Sequence, residues 1–398
     1  MNDWKKVTLN DIGKIVTGKT PKTKNTEFWN GGIPFVTPAD LQKSKHIFST
    51  ARTVSHIGLN SVKGATLPAG AVCVSCIGNL GYTALTTQKS VSNQQINSII
   101  PNSDFDNDFV YYLMKSLWDE FKNLEGQSTT LSILNKTLFS KIEVLVPDKV
   151  TQQPIAQVLS SLDDKIELNA QINHNLEEQA KAIFKSWFVD FEPFQDGEFI
   201  DTELGQIPAG WRIGTLNEIA DITMGQSPQG SSYNEDSVGT VFYQGRAEFS
   251  DRFPVRRLFT TEPKRMAEAG DVLLSVRAPV GDMNIANESC CIGRGLAAIH
   301  AKKAFSSFVF YTMHALKPEL DKYNGEGTVF GCINKDALNS QKIIIPPDNI
   351  IFEFEQTASS LDRKYLAGFQ ENMRLTQLRD ALLPKLMSGE IDVSEVEV

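Results

Sequence analysis

Between Thr151 and Phe191 apolar side chains recur at Ile155, Val158, Leu159, Leu162, Ile166, Ile172, Leu176, Ile183 and Trp187. That spacing predicts one amphipathic helix of roughly ten turns at about 3.6 residues each. A second stripe runs between Ile351 and Ile391, at Phe354, Ala358, Leu361, Tyr365, Leu375, Leu378, Leu382 and Leu386. Shifting the first stripe by 199 positions lays it almost residue for residue on the second. The chain repeats itself. The seam positions are Ile155, Leu162, Asn169, Leu176 and Ile183 in the first copy, and Leu361, Gly368, Leu375 and Leu382 in the second. Asn169 is the polar exception, set opposite its repeat mate Gly368, and a polar seam residue fixes register at a cost in stability.

The repeat reaches beyond the helices. Ser-Leu-Asp-Asp-Lys at 161–165 matches Ser-Leu-Asp-Arg-Lys at 360–364, and a strand-like run ending in proline precedes each stripe, Ile142 to Pro147 and Ile343 to Pro346. Asp348 or Asn349 supplies a cap for the second helix. Further upstream two globular stretches open alike, Trp4-Lys-Lys-Val-Thr-Leu-Asn-Asp-Ile-Gly and Trp211-Arg-Ile-Gly-Thr-Leu-Asn-Glu-Ile-Ala. Inside them, Gly70-Ala-Val-Cys-Val-Ser aligns with Gly270-Asp-Val-Leu-Leu-Ser, and each predicts a buried strand. Segments Asp108 to Leu124 and Ser306 to Tyr323 predict amphipathic helices, with Tyr111, Tyr112, Leu113, Phe308, Phe310 and Tyr311 as core. The unit is a mixed α/β (α+β) domain followed by a long helix, used twice.

Composition narrows the class. A length of 398 residues with 41% hydrophobic and 22% charged side chains is ordinary for two or three soluble domains. No run approaches 18 apolar residues, and Met1-Asn-Asp-Trp-Lys-Lys lacks the apolar core of a signal peptide, so a cytoplasmic protein without membrane contact is expected. Five cysteines, an odd number, do not make a disulfide framework. Cys73 and Cys76 have the spacing of a redox or zinc half-site, but on a strand residues three apart face opposite ways, and their repeat mates are Leu273 and Val276. The five histidines are scattered, so core packing is the reading of the cysteines and no metal site is expected.

Net charge is −9, yet the first 150 residues are net basic and much of the acid sits in the helices, the linker and the tail. Phosphate binding depends on local lysine and arginine rather than on the total. Gly13-Lys-Ile-Val-Thr-Gly18-Lys19-Thr20 formally matches a phosphate-binding loop. That motif needs a helix to start at its Lys-Thr step, and Pro21 pushes Thr20 toward extended geometry. The repeat copy, Gly225-Gln-Ser-Pro, keeps the turn without the lysine, so nucleotide binding is the weaker reading. No methyltransferase, dinucleotide or nuclease motif emerges either.

Several blocks together resemble a known family. They are Glu178-Gln-Ala-Lys-Ala-Ile-Phe-Lys-Ser-Trp-Phe-Val-Asp-Phe-Glu-Pro-Phe, Ile207-Pro-Ala-Gly-Trp-Arg, Gly225-Gln-Ser-Pro and Leu378-Arg-Asp-Ala-Leu-Leu-Pro-Lys-Leu-Met-Ser-Gly-Glu-Ile. The whole chain resembles the DNA sequence specificity (S) subunits of Type I restriction-modification systems. The resemblance implies target recognition domains at 1–150 and 211–348, spacer helices at 151–192 and 349–391, a linker at 193–210 and an acidic tail at 392–398. It implies that the helices pair as an antiparallel coiled coil with pseudo-twofold symmetry. At 1.5 Å per residue they would span on the order of 55 Å, or roughly 16 base pairs. The partners implied are double-stranded DNA, two methyltransferase (M) subunits and restriction/motor (R) subunits. S-adenosylmethionine, ATP and Mg would belong to those partners, leaving this chain non-catalytic and without a cofactor of its own.

Candidate DNA contacts follow from the family's use of the segment after Ile33-Pro-Phe-Val and its mate Val241-Phe-Tyr-Gln. In the first copy they are Lys43, Lys45, Arg52 and Lys63, with Lys19, Lys22 and Lys24 in the preceding loop. In the second they are Arg246, Arg252, Arg256, Arg257, Lys264 and Arg265. Ser92-Asn-Gln-Gln-Ile aligns with Ile292-Gly-Arg-Gly-Leu, which makes Gln94, Gln95 and Arg294 candidates, since amides pair with adenine and arginine with guanine; structural hydrogen bonding is an equally good reading. Arg277, at a strand end, either meets a carboxylate or points at DNA. Two readings compete with DNA recognition: a coiled-coil scaffold joining two interaction domains, and an enzyme built on the Gly13–Thr20 loop.

Overall fold

The computed structural model describes residues 4–126, 133–325 and 331–393. It divides into two compact units, Met1–Gln171 with Gly368–Val398, and Ile172–Ala367. Each unit therefore holds one globular domain and half of each long helix, whereas the sequence partition gave each domain a helix of its own. From residue 394 onward the expected tail lies outside the described residues.

The first unit opens with strand Lys5–Thr8, which turns into the short helix Leu9–Ile12 because the Thr8 N–H and hydroxyl both donate to Asp11, at 2.8 and 2.7 Å. Strand Gly13–Thr17 then forms one edge of a five-stranded sheet, followed in order by Ile96–Pro101, Val72–Ser75, Thr83–Thr86 and His46–Ile47. A second sheet orders Thr53–Val54, Trp29–Val36, Ser90–Ser92 and Thr66–Leu67. Strand Val72–Ser75 is buried on both faces, Cys73 packing with Val16 and Leu67, Cys76 with Leu80 and Phe109. Helix Asn107–Ser116 lays Phe109, Tyr112 and Leu113 into the core that Ile155, Leu159, Leu383 and Leu386 of the long helices complete.

The second unit repeats this plan. Thr215 and Glu218 rebuild the cap (N–H to Oε1, 2.8 Å), and strand Arg212–Thr215 pairs with Lys342–Ile345 as Lys5–Thr8 pairs with Glu143–Val146. Its four-stranded sheet runs Ala220–Met224, Leu296–Ala301, Val272–Ser275, Met283–Ile285. A five-stranded sheet runs Tyr233–Asn234, Leu258–Thr260, Thr240–Tyr243, Cys290–Ile292, Met266–Ala267. The core seats are the same, but their filling differs. Phe354, Phe184 and Phe188 stand where the first unit has Ile155, Leu383 and Met387, and Phe184 and Phe188 lie 5.7 and 5.1 Å from Phe354. The expected linker carries a hairpin, Phe199–Thr202 with Gly205–Pro208.

The long helices run Lys149–Phe188 and Asp348–Met387, one to four residues off the expected bounds. The first starts early because the Asp148 carboxylate accepts from the Thr151 N–H at 3.0 Å, and the Thr151 side chain together with that N–H holds the Asp148 carboxyl below its usual range. It stops where Phe191 takes a left-handed conformation (φ 55°) ahead of Pro193. The second stops at Gly389 (φ 73°). Within the first unit the two run antiparallel: Asp163 meets Arg379, whereas Asn169 meets Glu371 and Asn372. Asn169 was expected opposite Gly368. Instead its amide donates to Glu371 and Asn372 at 2.7 and 3.0 Å, and Asn372 donates to the Ile166 carbonyl at 3.0 Å. Of the seam residues, Ile155 and Asn169 are buried, and Leu162, Leu176, Ile183, Leu361, Gly368, Leu375 and Leu382 are half-buried.

The helix Ser306–Ala315 buries His314 against Phe310, ring centroids 4.5 Å apart. Burial, helped by the Lys181 charge, pushes its pKa down to about 4. Since an unfolded histidine titrates near ~6.5, the unfolded chain alone takes up a proton between that pH and about 4, so the stability conferred by neutral His314 is present above that window and lost through it on acidification. The variant His314→Gln should flatten this part of the pH profile, by up to on the order of 3 kcal/mol, in urea unfolding followed from pH 7 to pH 4.

Candidate nucleic-acid interface

In each unit two loops are tied side by side by the same backbone hydrogen bonds. In the first unit the Gly18 and Lys19 N–H groups donate to the Ile96 and Ser92 carbonyls at 2.9 and 2.8 Å, and Asn93 N–H donates to Val36 at 3.0 Å. In the second, Gly225 and Gln226 donate to Leu296 and Ile292 at 2.9 and 3.0 Å, and Gly293 to Tyr243 at 2.8 Å. The glycines are obligatory: a Cβ at Gly18 would stand 1.9 Å from the Asn93 carbonyl oxygen, and one at Gly225 2.1 Å from that of Gly293. The frame is common, and what projects from it is not. The first rim carries exposed Lys19 and Gln94, with the Thr20 hydroxyl donating to Gln94 at 2.7 Å. The second carries exposed Gln226, Gln244 and Arg294 around a cleft of about 550 Å³, where the Arg294 N–H donates to Ser227 at 3.2 Å. Gln95 turns back to accept from Asn93 at 2.9 Å.

The same geometry disposes of the phosphate-loop reading. Gly13–Thr17 is a strand and Lys19 and Thr20 belong to an irregular stretch. The next helical turn is the three-residue Thr26–Phe28, so no helix N-terminus faces the loop.

The other basic candidates divide sharply. Lys45 and Arg252 are buried, so the structure corrects their assignment to a DNA-facing surface. Lys45 Nζ donates to Ser160 on the first long helix at 2.7 Å, pairs with Asp108 at 2.5 Å and lies over the Tyr112 ring. Arg252 pairs with Asp362 on the second helix at 2.5 Å and stacks on Phe310 and Tyr365. A long apolar stem with a charged tip suits a domain–helix joint as well as a phosphate contact, which is why residue type alone misplaced them. Arg246 pairs with Asp282, Arg256 with Glu288, Arg257 with buried Glu248 at 2.6 Å, and Lys43 with Asp40 at 3.1 Å. Arg52 lies 3.8 Å from the centroid of Trp29. Lys19, Lys22, Lys24, Lys63, Lys264, Arg265, Arg277 and Arg294 are exposed, and among the described residues no carboxylate pairs with them. Arg277 thus points outward.

Sequence reading missed the acids that organise this. The Tyr112 hydroxyl donates to Asp163 at 2.7 Å and the Tyr311 hydroxyl to Asp362 at 2.8 Å, burial holding both phenols protonated. The signal was present: Asp163 and Asp362 are the third residues of the matched Ser-Leu-Asp segments. It also missed Gln226 and Gln244, which show themselves only once the loops are seen to meet.

Among the described residues no three His, Cys, Asp or Glu side chains gather as metal ligands, and no helix is long and apolar enough to cross a membrane.

A family model described as the Type I restriction modification DNA specificity domain matches residues 1–178 and 208–363. The chain is 30% identical to the Type I restriction enzyme MjaIX specificity subunit of Methanocaldococcus jannaschii, over 99% of this chain and 95% of that one. It is 34% identical to the HindI specificity subunit of Haemophilus influenzae, over 98% of this chain and all of that one. A solved Type-I restriction-modification system S subunit from M. genitalium superposes with a TM-score of 0.60 at 17% identity, covering 97% of this chain and 96% of that chain, a likeness of fold.

Burial pushes the Cys73, Cys76 and Cys290 thiols up to about 12, and Cys291 is buried too, leaving Cys332 exposed. Under native conditions at pH 8 an aromatic disulfide reagent should therefore titrate one thiol rapidly, and the other four only after unfolding.

Proposed function

Because the chain belongs to the Type I restriction-modification DNA specificity family, we infer that it is the non-catalytic subunit that directs such a complex to its DNA target. The observation that carries the finer reading is the paired-loop frame, built identically in both units and armed differently in each. Two copies of one frame approach DNA in the same way, and different rims select different bases. The target is accordingly asymmetric and bipartite, one half-site for each recognition domain. Gln94 and Lys19 face one half-site, Arg294, Gln226 and Gln244 the other. An amide side chain pairs bidentately with adenine and a guanidinium with guanine, each good pair discriminating by about 1–3 kcal/mol. Lys22, Lys24, Lys63, Lys264, Arg265 and Arg277 supply phosphate contacts, which position the domains without carrying sequence information.

The long helices set the spacer between half-sites, and their outward faces receive two methyltransferase subunits, with restriction/motor subunits beyond. Adenine methylation with S-adenosylmethionine, and cleavage with ATP and magnesium, take place on those partners. A coiled-coil scaffold without base readout is the reading the kinship does not favour.

Long-read sequencing of adenine methylation tests this directly, in cells making the cognate methyltransferase subunit with and without this chain. A bipartite, asymmetric motif should appear only with it; an unchanged methylome alongside co-purification of the two proteins would leave the scaffold reading standing. In the same assay, inserting four residues into both helices near Asn169 and Gly368, one turn each, should lengthen the unread spacer by about one or two base pairs with both half-sites unchanged. A spacer of the original length would refute the ruler.

A further inference from the structure

Each unit fastens its globular domain to the long helices through one carboxylate, one tyrosine and one guanidinium, but the guanidinium arrives from opposite sides. In the first unit Asp163 on the first helix accepts from Tyr112 of the domain and from Arg379 of the second helix, the latter at 2.6 Å. In the second unit Asp362 on the second helix accepts from Tyr311 of the domain, and its guanidinium, Arg252, also belongs to the domain. The 199-residue shift makes Ala180 the mate of Arg379, and Ala180 is fully buried. The helices of the second unit therefore offer no cation at that point.

The domains are complementary to this difference. Lys45 and Arg252 occupy equivalent seats, since their carbonyls accept from the Leu85 and Ile285 N–H groups at 2.8 Å in both units, and both cations lie against the paired aromatics of the following helix. Lys45, however, turns away from the acid to Ser160 and to Asp108. The mate of Asp108 is Ser307, so the second domain lacks the acid that would hold a lysine there. A domain bearing arginine at this seat fits helices that present the acid alone. A domain bearing lysine fits helices that have already filled it.

We infer that the arginine at this carboxylate is a key that assigns each recognition domain to its own half of the helix pair, Arg379 and Arg252 being positioning residues that cannot both serve one acid. Placed on the helices of the first unit, the second domain brings a surplus buried guanidinium to Asp163. Placed on the helices of the second, the first domain leaves Asp362 with a hydroxyl and no cation. Breaking or overfilling a buried pair destabilises far more than the loss of a surface pair does. The inference concerns how the chain holds its domains and stands whether or not the base assignments do.

The test is a sign reversal in full-length chains. Residues 5–146 are replaced by a second copy of 212–345, joining at the matched strand pairs, and both native and exchanged chains are made with and without Arg379→Ala. In the native chain Arg379→Ala should lower the thermal unfolding midpoint by roughly 5 °C or more. In the exchanged chain the same change should raise it, or convert an insoluble chain into a soluble one. A fall of similar size in both overturns the inference. If the exchanged chain folds with neither residue, the decision passes to the native chain carrying Ala180→Arg, where a second guanidinium now meets Asp362. The midpoint or soluble yield should drop and partly recover on adding Arg252→Ala; no recovery overturns the inference.

Discussion

The carboxylates of Asp163 and Asp362 sit largely out of water at the joint between a globular domain and a helix. An ionised carboxylate in such a place is tolerated only with its lone pairs occupied and its charge answered. That requirement brings a tyrosine from the helix at 107–116 or 306–315 and an arginine to one point in each unit, and it draws three separate chain segments into one geometry. Hydrophobic contact alone would permit the domain to slide or turn on the apolar stripe, because dispersion and burial are almost indifferent to small rotations. The hydrogen-bonded acid is not indifferent. The surface loops of each unit inherit their placement from this joint, through helix, sheet and turn.

Duplication explains the division of labour above the joint. The features shared by both units are those that cannot vary without breaking the frame: the Thr-Leu-Asn-Asp/Glu cap, the glycine at the loop crossing, the doubly buried central strand. The features that differ lie where the frame is indifferent, on the rims and in the filling of the core. Phenylalanines in one unit replace leucine, isoleucine and methionine in the other at the same seats, a change of volume that a core absorbs by repacking neighbours. On the rims, Lys19 and Gln94 of one unit stand where Gln226 and Arg294 stand in the other. The rim side chains therefore differ between the units while the architecture stays fixed.

Much of this was readable before any coordinates. A period of 3.6 residues sustained for forty positions is difficult to mistake, and its recurrence after 199 residues fixed the two-fold plan, the helices and the strands that flank them. The strand character of Cys73 and Cys76 was legible too, because alternation places them in different cores, as found. What sequence spacing did not disclose was pairing at long range. Lys45 and Arg252 look like any other basic residues until Ser160 and Asp362 are brought against them, and Arg256 and Arg257 look uncommitted until Glu288 and Glu248 arrive. Asn169 stands out in the sequence as a polar residue in an apolar stripe. Its partners, Glu371 and Asn372, depend on a helix stagger that no periodicity encodes. The division of each helix between two units is equally a matter of packing, which the order of segments along the chain conceals.

Charge closes the argument about how such a chain engages a polyanion while carrying a net charge of −9. Half of its twelve arginines, Arg212, Arg246, Arg252, Arg256, Arg257 and Arg379, face carboxylates. An arginine held in a fork with an acid keeps a loop in place, but it has already surrendered much of the field that would attract phosphate. Of the candidate cations without a carboxylate partner among the described residues, Lys19 and Arg294 stand on the two loop rims. Counterion release scales with the number of phosphates neutralised, so what counts for a polyanion is the local set of unpaired cations and not the total charge. If the loops read bases as proposed, selectivity rests with them, because phosphate contacts position a protein on the duplex without carrying sequence information.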